Sequence, residues 1–400
     1  MKHKGLVIFL SLIMFVVGGL AGVVGISYYT LPHNEELVVS HDVYYSMNDT
    51  STTLLASGVQ PAEAGAVSVH FLELGNKYTG DCTYIKVGEN IDILIDCGSK
   101  SNSISTVSNY LNKYVTDGSL EYVIITHAHQ DHYAGFATTE NVDSIFDLYE
   151  CKNIIQFSQT NQKATAKLYN NYIRERDAEV ENGATLYTAT QVLNTFDNGI
   201  IPLDTTNNIS LQVLNSYYYT NTAHTENDYS VCTMLNQGDK HFLFTGDLEA
   251  DGEEELVKLN NLPEKVELYK AGHHGSKTSS TMPLLEVIQP KIVCVCCCAG
   301  SSEYTKTEAN QFPTVEFINN ISQFTTDVYV TTLSVDYKND VFTSFNGNIV
   351  VMAKKDDTAP SVYCSNNTTK LKDTDWFKTN RLELCKQFTK QPLHSSWLVA

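Results

Sequence analysis

Three imidazoles and a carboxylate fall within six residues in Thr126-His127-Ala128-His129-Gln130-Asp131-His132, directly after the apolar run Tyr122-Val123-Ile124-Ile125. Imidazole nitrogens and carboxylate oxygens are the donors that a divalent ion of borderline softness takes, zinc above all. His127 and His129, two apart in a turn, can face one ion. Asp131 and His132 can serve a second. Two ions ~3.5–4 Å apart need a bridging anion from another loop. Asp247 suits that role, because it ends an apolar strand at Thr245-Gly246-Asp247. His273, in Gly272-His273-His274-Gly275-Ser276, suits the role of a further ligand, with His274 as its alternative. Such ions share and polarise a bridging hydroxide, which attacks phosphorus or a carbonyl carbon while the ions neutralise developing charge. Asp131 could orient that hydroxide as well as bind metal. Asp96, at its own strand end, and Ser276 are placed behind the ligands, where they would fix the loops.

The elements that must present these residues are legible as periodicities. Ser68–Leu74, Cys82–Val87 and Ile91–Asp96 read as a strand meander. Ile104, Val107, Leu111 and Val115 recur at helical spacing before Asp117-Gly118. A strand over 121–126 enters the histidine cluster. Further strands are expected at 153–157, 210–214, 229–235, 241–245 and 266–270. Helices are expected at 163–178, 248–259, near 282–288 and near 313–320. Two rounds of strands followed by helices imply two sheets packed between helical layers. The run Lys291-Ile292-Val293-Cys294-Val295-Cys296-Cys297-Cys298 reads as a buried strand, since a buried cysteine acts as a small hydrophobe and CxCCC lacks the paired knuckles of a zinc ribbon. Cys364 and Cys385 are a possible pair. His70, His241 and His394 take ordinary structural roles.

The 400 residues carry a formal net charge of −19. A chain that tracks long nucleic acid presents a basic face, so nucleic acid enters here only as a substrate. Gly5 to Tyr28 is uncharged and follows Lys2 and Lys4. Such a run is long enough to cross a bilayer, and the preceding lysines place its start in the cytoplasm. The expectation is a single-pass anchor through residues 5–28 with the remainder outside the membrane; the alternative is a cleaved signal and a secreted protein. Residues 30–65 are rich in Ser, Thr, Asn and acidic side chains and read as a linker.

The motifs together resemble the metallo-β-lactamase superfamily, whose signature is HxHxDH, and within it the ComEC/Rec2-like branch. The resemblance rests on Val69–Gly75 through Gly80-Asp81-Cys82, on Ile93-Leu94-Ile95-Asp96-Cys97-Gly98, on Phe244-Thr245-Gly246-Asp247, on His273-His274-Gly275-Ser276-Lys277 and on Asn346-Gly347-Asn348-Ile349-Val350. It implies an α/β fold, the four-layer αββα sandwich, with metals at one edge and hydrolase chemistry that is often directed at phosphodiesters. The domain reading is then 1–29 anchor, 30–65 linker, 66–355 hydrolase domain and 356–400 C-terminal extension. The function expected is a phosphodiesterase with two divalent ions, zinc or manganese, acting on nucleic acid fragments or surface polymers. The alternatives are a carboxyl-ester or lactam hydrolase, or a non-catalytic metal-binding surface protein. The chain departs from the branch at several points. It has one apolar span where the DNA-uptake proteins have a channel, and His129 stands where the branch often has Asp. Gln311-Phe312-Pro313 stands where it has His-Pro. The third histidine of the first metal site is offset, with His224 the nearest candidate and Glu226-Asn227-Asp228 in its place.

Overall fold

Strand β12 (Ile292–Ala299), the cysteine run, shows how side-chain alternation builds the layers. Ile292, Cys294 and Cys296 join the core cluster that also holds the first-sheet residues Val69, Ile93 and Val123. Val293, Val295, Cys297 and Ala299 point the other way, into a cluster with Leu284, Leu285, Phe317 and Ile318. One face of the strand therefore packs against the opposite sheet, and the other lies under the helices Met282–Ile288 and Val315–Ile321. Period-2 alternation with both faces apolar requires this sandwiching.

The computed structural model describes residues 55–59, 62–140, 142–163 and 165–398. The expected anchor, residues 1–29, and most of the linker lie outside them. Among the described residues no helix is long and apolar enough to cross a membrane.

The first half of the chain supplies β1 (Val67–Phe71), β2 (Thr83–Val87), β3 (Ile91–Ile95), β4 (Ser119–Ile125), β5 (Glu150–Gln156) and β6 (Thr185–Thr188). The second supplies β7 (Ile200–Asp204), β8 (Ile209–Val213), β9 (Thr233–Gln237), β10 (Lys240–Phe244), β11 (Leu268–Lys270), β12 (Ile292–Ala299), β13 (Asp327–Asp336) and β14 (Val341–Ser344). The chain then returns through β15 (Ile349–Ala353) and β16 (Ser361–Cys364). The sheets run β16-β15-β1-β2-β3-β4-β5-β6 and β14-β13-β12-β11-β10-β9-β8-β7. The result is a mixed α/β sandwich of two eight-stranded sheets, consistent with the metallo-β-lactamase architecture.

The first sheet changes from antiparallel hairpins to parallel strands at β3, and the second has a parallel centre with antiparallel strands on either side. β3, β4 and β5 are parallel, as are β10, β11, β12 and β13. Ligand sites collect at the carboxyl ends of such parallel strands, and the motif residues follow those ends. The strand expected over 229–235 begins only at Thr233, and Asn227–Tyr229 form a 3-10 turn. The backbone there is committed elsewhere, since Val231 N donates to Thr126 O at 2.9 Å. Residues 356–398 add β16 to the first sheet and bury Leu371, Phe377, Cys385 and Trp397 in the second core. All ten cysteines are buried free thiols, and Cys364 and Cys385 belong to different core clusters.

Candidate metal centre

Three loops of the first sheet are tied together by their backbones. Asp81 N donates to Asp131 O (3.0 Å), Gly98 N to Asp81 O (2.9 Å), and Cys97 N to His132 O (2.7 Å). Gly98 is required there, because a Cβ at that position would lie 1.7 Å from Asp131 O. The second sheet is joined in the same way, with His273 N donating to Gly246 O (3.1 Å). Gly246 takes φ of 55°, and a Cβ on it would meet Ser230 Oγ at 2.8 Å. That hydroxyl accepts from Asp247 N at 3.1 Å, which fixes the carboxylate's base.

Two histidines have their outer nitrogens committed. His274 Nδ1 lies 3.0 Å from the carbonyl oxygen of Cys296, so Nδ1 carries the hydrogen and the neutral ring keeps its lone pair on Nε2. His132 Nδ1 donates to Asp96 Oδ2 at 2.8 Å. Asp96 is itself held by Thr126 N (2.8 Å) and Thr126 Oγ1 (2.7 Å). The free Nε2 edges converge on Asp247 Oδ2, at 3.1 Å from His132 and 3.3 Å from His274. His274 Nε2 and Asp247 Oδ1 are buried with no hydrogen-bond partner among the described residues. Leaving such atoms unsatisfied costs ~1–3 kcal/mol each, and a cation between them would satisfy both. Beside them, His127 Nε2 and His129 Nδ1 approach to 3.0 Å, and the His127 ring lies 4.1 Å from that of His132. Burial first, then the neighbouring His132, pushes His127 well below the usual imidazole range. It is therefore neutral and offers a lone pair.

The charge balance calls for a cation. Asp81, Asp96 and Asp247 are buried and Asp131 is mostly so. Burial works against charge on His132, but Asp247 and Asp96 outweigh it and hold the imidazolium well above its ordinary range. The same contest, with Asp247 and Asp81, raises His274. Protons on these rings stand in for the positive charge that a divalent ion would bring. Asp81 lies within 4.8 Å of His132, Asp247 and His274. It faces the wrong edges for ligation, however: its oxygens sit 3.2 Å and 3.7 Å from the Nδ1 atoms of His274 and His132. Its partner is the fully buried ammonium of Lys270. Asp81 therefore meets the outer edges of the two rings, and the Nε2 side is the one that faces Asp247.

Of the residues named from sequence, the fold brings together His127, His129, Asp131, His132, Asp247 and His274, with Asp96 behind His132. His273 is half-buried, its Nε2 3.9 Å from Asp247 Oδ2, and its Nδ1 bonds Thr278 Oγ1. Ser276 is buried but bonds Thr278, shaping the turn rather than touching the cluster. His224 is exposed. Nearby, Glu226 accepts from Ala128 N at 3.1 Å and Asn161 N at 2.6 Å, bracing the histidine loop from beneath. Sequence reasoning gave no role to Lys270, Glu226 or Tyr304. Lys270 left one signal, a lysine closing an otherwise apolar strand. The other two left none.

A family comparison places residues 75–292, just over half of the 400, on the family described as Anti-Pycsar protein Apyc1. The chain belongs to this family. Two curated proteins match shorter stretches. ComE operon protein 3 of Bacillus subtilis (strain 168) is 37% identical over 67 residues, 16% of this chain and 8% of that protein. Recombination protein 2 of Haemophilus influenzae is 31% identical over 70 residues, 18% of this chain and 8% of that protein. The chain thus spans under a tenth of each relative's length. Among solved structures, the metallo-beta-lactamase fold protein YhfI from Bacillus subtilis aligns over 72% of this chain and 100% of its own, at 11% identity and a TM-score of 0.39. The matched family span of this member contains every residue of the cluster.

Proposed function

We propose that this chain is a metal-dependent hydrolase that cleaves phosphodiesters, with two divalent ions, zinc being the first choice. The observation that carries the reading is the buried convergence of His132 Nε2, His274 Nε2 and Asp247, with acceptor atoms left open for a cation. His127 and His129 would complete one ion's ligands. His132, His274 and Asp131 would hold the other, with Asp247 between them. When bound, such ions act as Lewis acids and bring a water's pKa towards neutrality.

The chain's own residues do the rest. Asp96 and the Cys296 carbonyl lock the two rings so that their Nε2 lone pairs face inward. Asp131 is the carboxylate on the solvent side, placed to accept a proton from the attacking water. Lys270 and Asp81 set the charge behind the rings, on the side away from their Nε2 atoms. A phosphodiester is the substrate that best suits a dense cationic centre. The net charge of −19 argues for a short substrate held at that centre over a long strand tracked by its backbone. We further propose that residues 5–28 anchor the protein with its hydrolase domain outside the membrane.

The test is turnover of bis(p-nitrophenyl) phosphate by the full-length chain in mild detergent. We expect hydrolysis that a chelator abolishes and added zinc or manganese restores. Metal-loaded protein that cleaves no phosphodiester, monoester or carboxyl ester would refute the enzyme. Cleavage of the carboxyl ester alone would transfer the activity to the other substrate class.

A further inference from the structure

The mouth of the cluster carries an aromatic side chain. Tyr304 is 57% exposed, yet its hydroxyl donates to Asp131 Oδ2 at 3.0 Å. That same carboxylate oxygen lies 3.6 Å from His274 Nε2. The phenol therefore stands one atom away from the cluster, on its solvent side. Lys270, which pairs with Asp81, lies behind the rings and is buried.

Tyr304 is held there rather than left to wander. Its ring packs on Phe312, with centroids 5.6 Å apart, and Phe312 lies 5.9 Å from both His273 and His274. The loop is closed at its base by Gly300 N donating to Phe312 O at 2.8 Å. The neighbouring residue, Glu303, accepts from Thr79 N at 2.9 Å, which ties the loop to the turn that carries Asp81. Folding alone does not account for this placement. A hydrogen bond contributes only ~0.5–1.5 kcal/mol net to stability, and the ring forgoes burial to make it. Both Tyr304 and Phe312 lie beyond the family match, which ends at residue 292.

We propose that Tyr304 is a substrate-contacting residue, whose hydroxyl transfers its hydrogen bond from Asp131 to a non-bridging oxygen of a phosphoryl group bound at the cluster. This rests on the phosphodiester reading above. A phenol suits the task because it donates without bringing charge, and rotation about its side-chain bonds moves the hydroxyl while Phe312 supports the ring. Asp131, freed of the phenol, is then available to the attacking water. The contact forms and breaks only hydrogen bonds.

The experiment compares the full-length, zinc-loaded wild type with Tyr304→Phe, which keeps the ring and removes the hydroxyl. Zinc content, melting temperature, affinity for inorganic phosphate by calorimetry, and kcat and KM for bis(p-nitrophenyl) phosphate are measured. The variant should keep its zinc and its melting temperature, bind phosphate about tenfold more weakly and lose a similar factor in kcat/KM. Phosphate affinity equal to that of the wild type would overturn the proposal. So would loss of zinc, which would mean that Tyr304 acts by holding Asp131. If the wild type binds phosphate but cleaves no diester, the hydrolase reading fails, and weaker phosphate binding in the variant still upholds the contact. If the wild type does not bind phosphate at all, both fail.

Discussion

At the scale of single residues, histidines of one chemical type are sorted by what touches their two nitrogens. His274 and His132 have Nδ1 committed to an acceptor and Nε2 turned towards Asp247, the side on which a metal could bind. His70 has both committed, Nδ1 to Tyr110 OH (2.7 Å) and Nε2 to Ser68 Oγ (2.8 Å), inside a cage of Tyr84, Tyr110 and Tyr114. Burial lowers His70 to about 3. The consequence for stability has a definite sign. Below pH 6.5 the unfolded chain takes up a proton at His70 that the native state refuses until about pH 3, so native stability falls as pH drops through that window. The slope is at most ~1.4 kcal/mol per pH unit. Urea unfolding at pH 7 and pH 5 should show His70→Gln losing ~2 kcal/mol less than the wild type between the two. Equal losses would show that His70 is not held neutral. The difference between the two proteins removes the contributions of His132 and His274, which are common to both. Sequence separates these histidines by context, because a lone histidine in a strand differs visibly from a cluster at a strand's end. It could not choose between His273 and His274. That choice depends on a backbone in which both take positive φ, 46° and 55°, so that adjacent residues point apart.

At the scale of elements, the site is made by loops whose exact path matters more than their composition. The register of β12 against β13 shifts between Val295 and Cys298, a bulge centred on Cys296 and Cys297. Bulges beside active sites re-aim groups, and here the carbonyl so placed is the one that accepts from His274. Nothing in Cys-Val-Cys-Cys-Cys announces a bulge, although its burial as a strand was legible. Gly98 makes the loop argument testable. Gly98→Ala would drive a methyl group into Asp131 O, displacing the turn that carries Asp131 and His132. A loss of ~3 kcal/mol or more is expected, together with loss of metal. Differential scanning calorimetry and metal analysis check this; an alanine variant that melts with the wild type and keeps its metal would contradict it. The helices Met282–Ile288 and Val315–Ile321 were legible to within two residues, because their apolar faces are periodic. The expected helix at 163–178 runs Lys167–Glu181, with a polar surface that marks no sharp start.

At the scale of the whole molecule, the chain crosses from one sheet to the other and back, and the site exists only because both sheets end at the same edge. The histidine loop comes from the first sheet, and Asp247 and His274 from the second. Sequence located both sets of motifs and the two-sheet plan. It left β6, β7, β13, β14 and β16 unread, although β14 and β16 pair with the strands next to them in the chain. In the C-terminal extension, Phe377 and Trp397 pack edge to face inside the second core. The most direct test of the account is therefore the zinc retained by full-length protein after exhaustive dialysis, for the wild type and for Asp247→Ala, His274→Ala and His273→Ala, with folding checked by circular dichroism. The wild type is expected to keep zinc, the first two variants to lose most of it, and His273→Ala, altered at the half-buried ring, to keep more. A folded wild type that retains no zinc, or an Asp247→Ala variant that retains as much as the wild type, would contradict it.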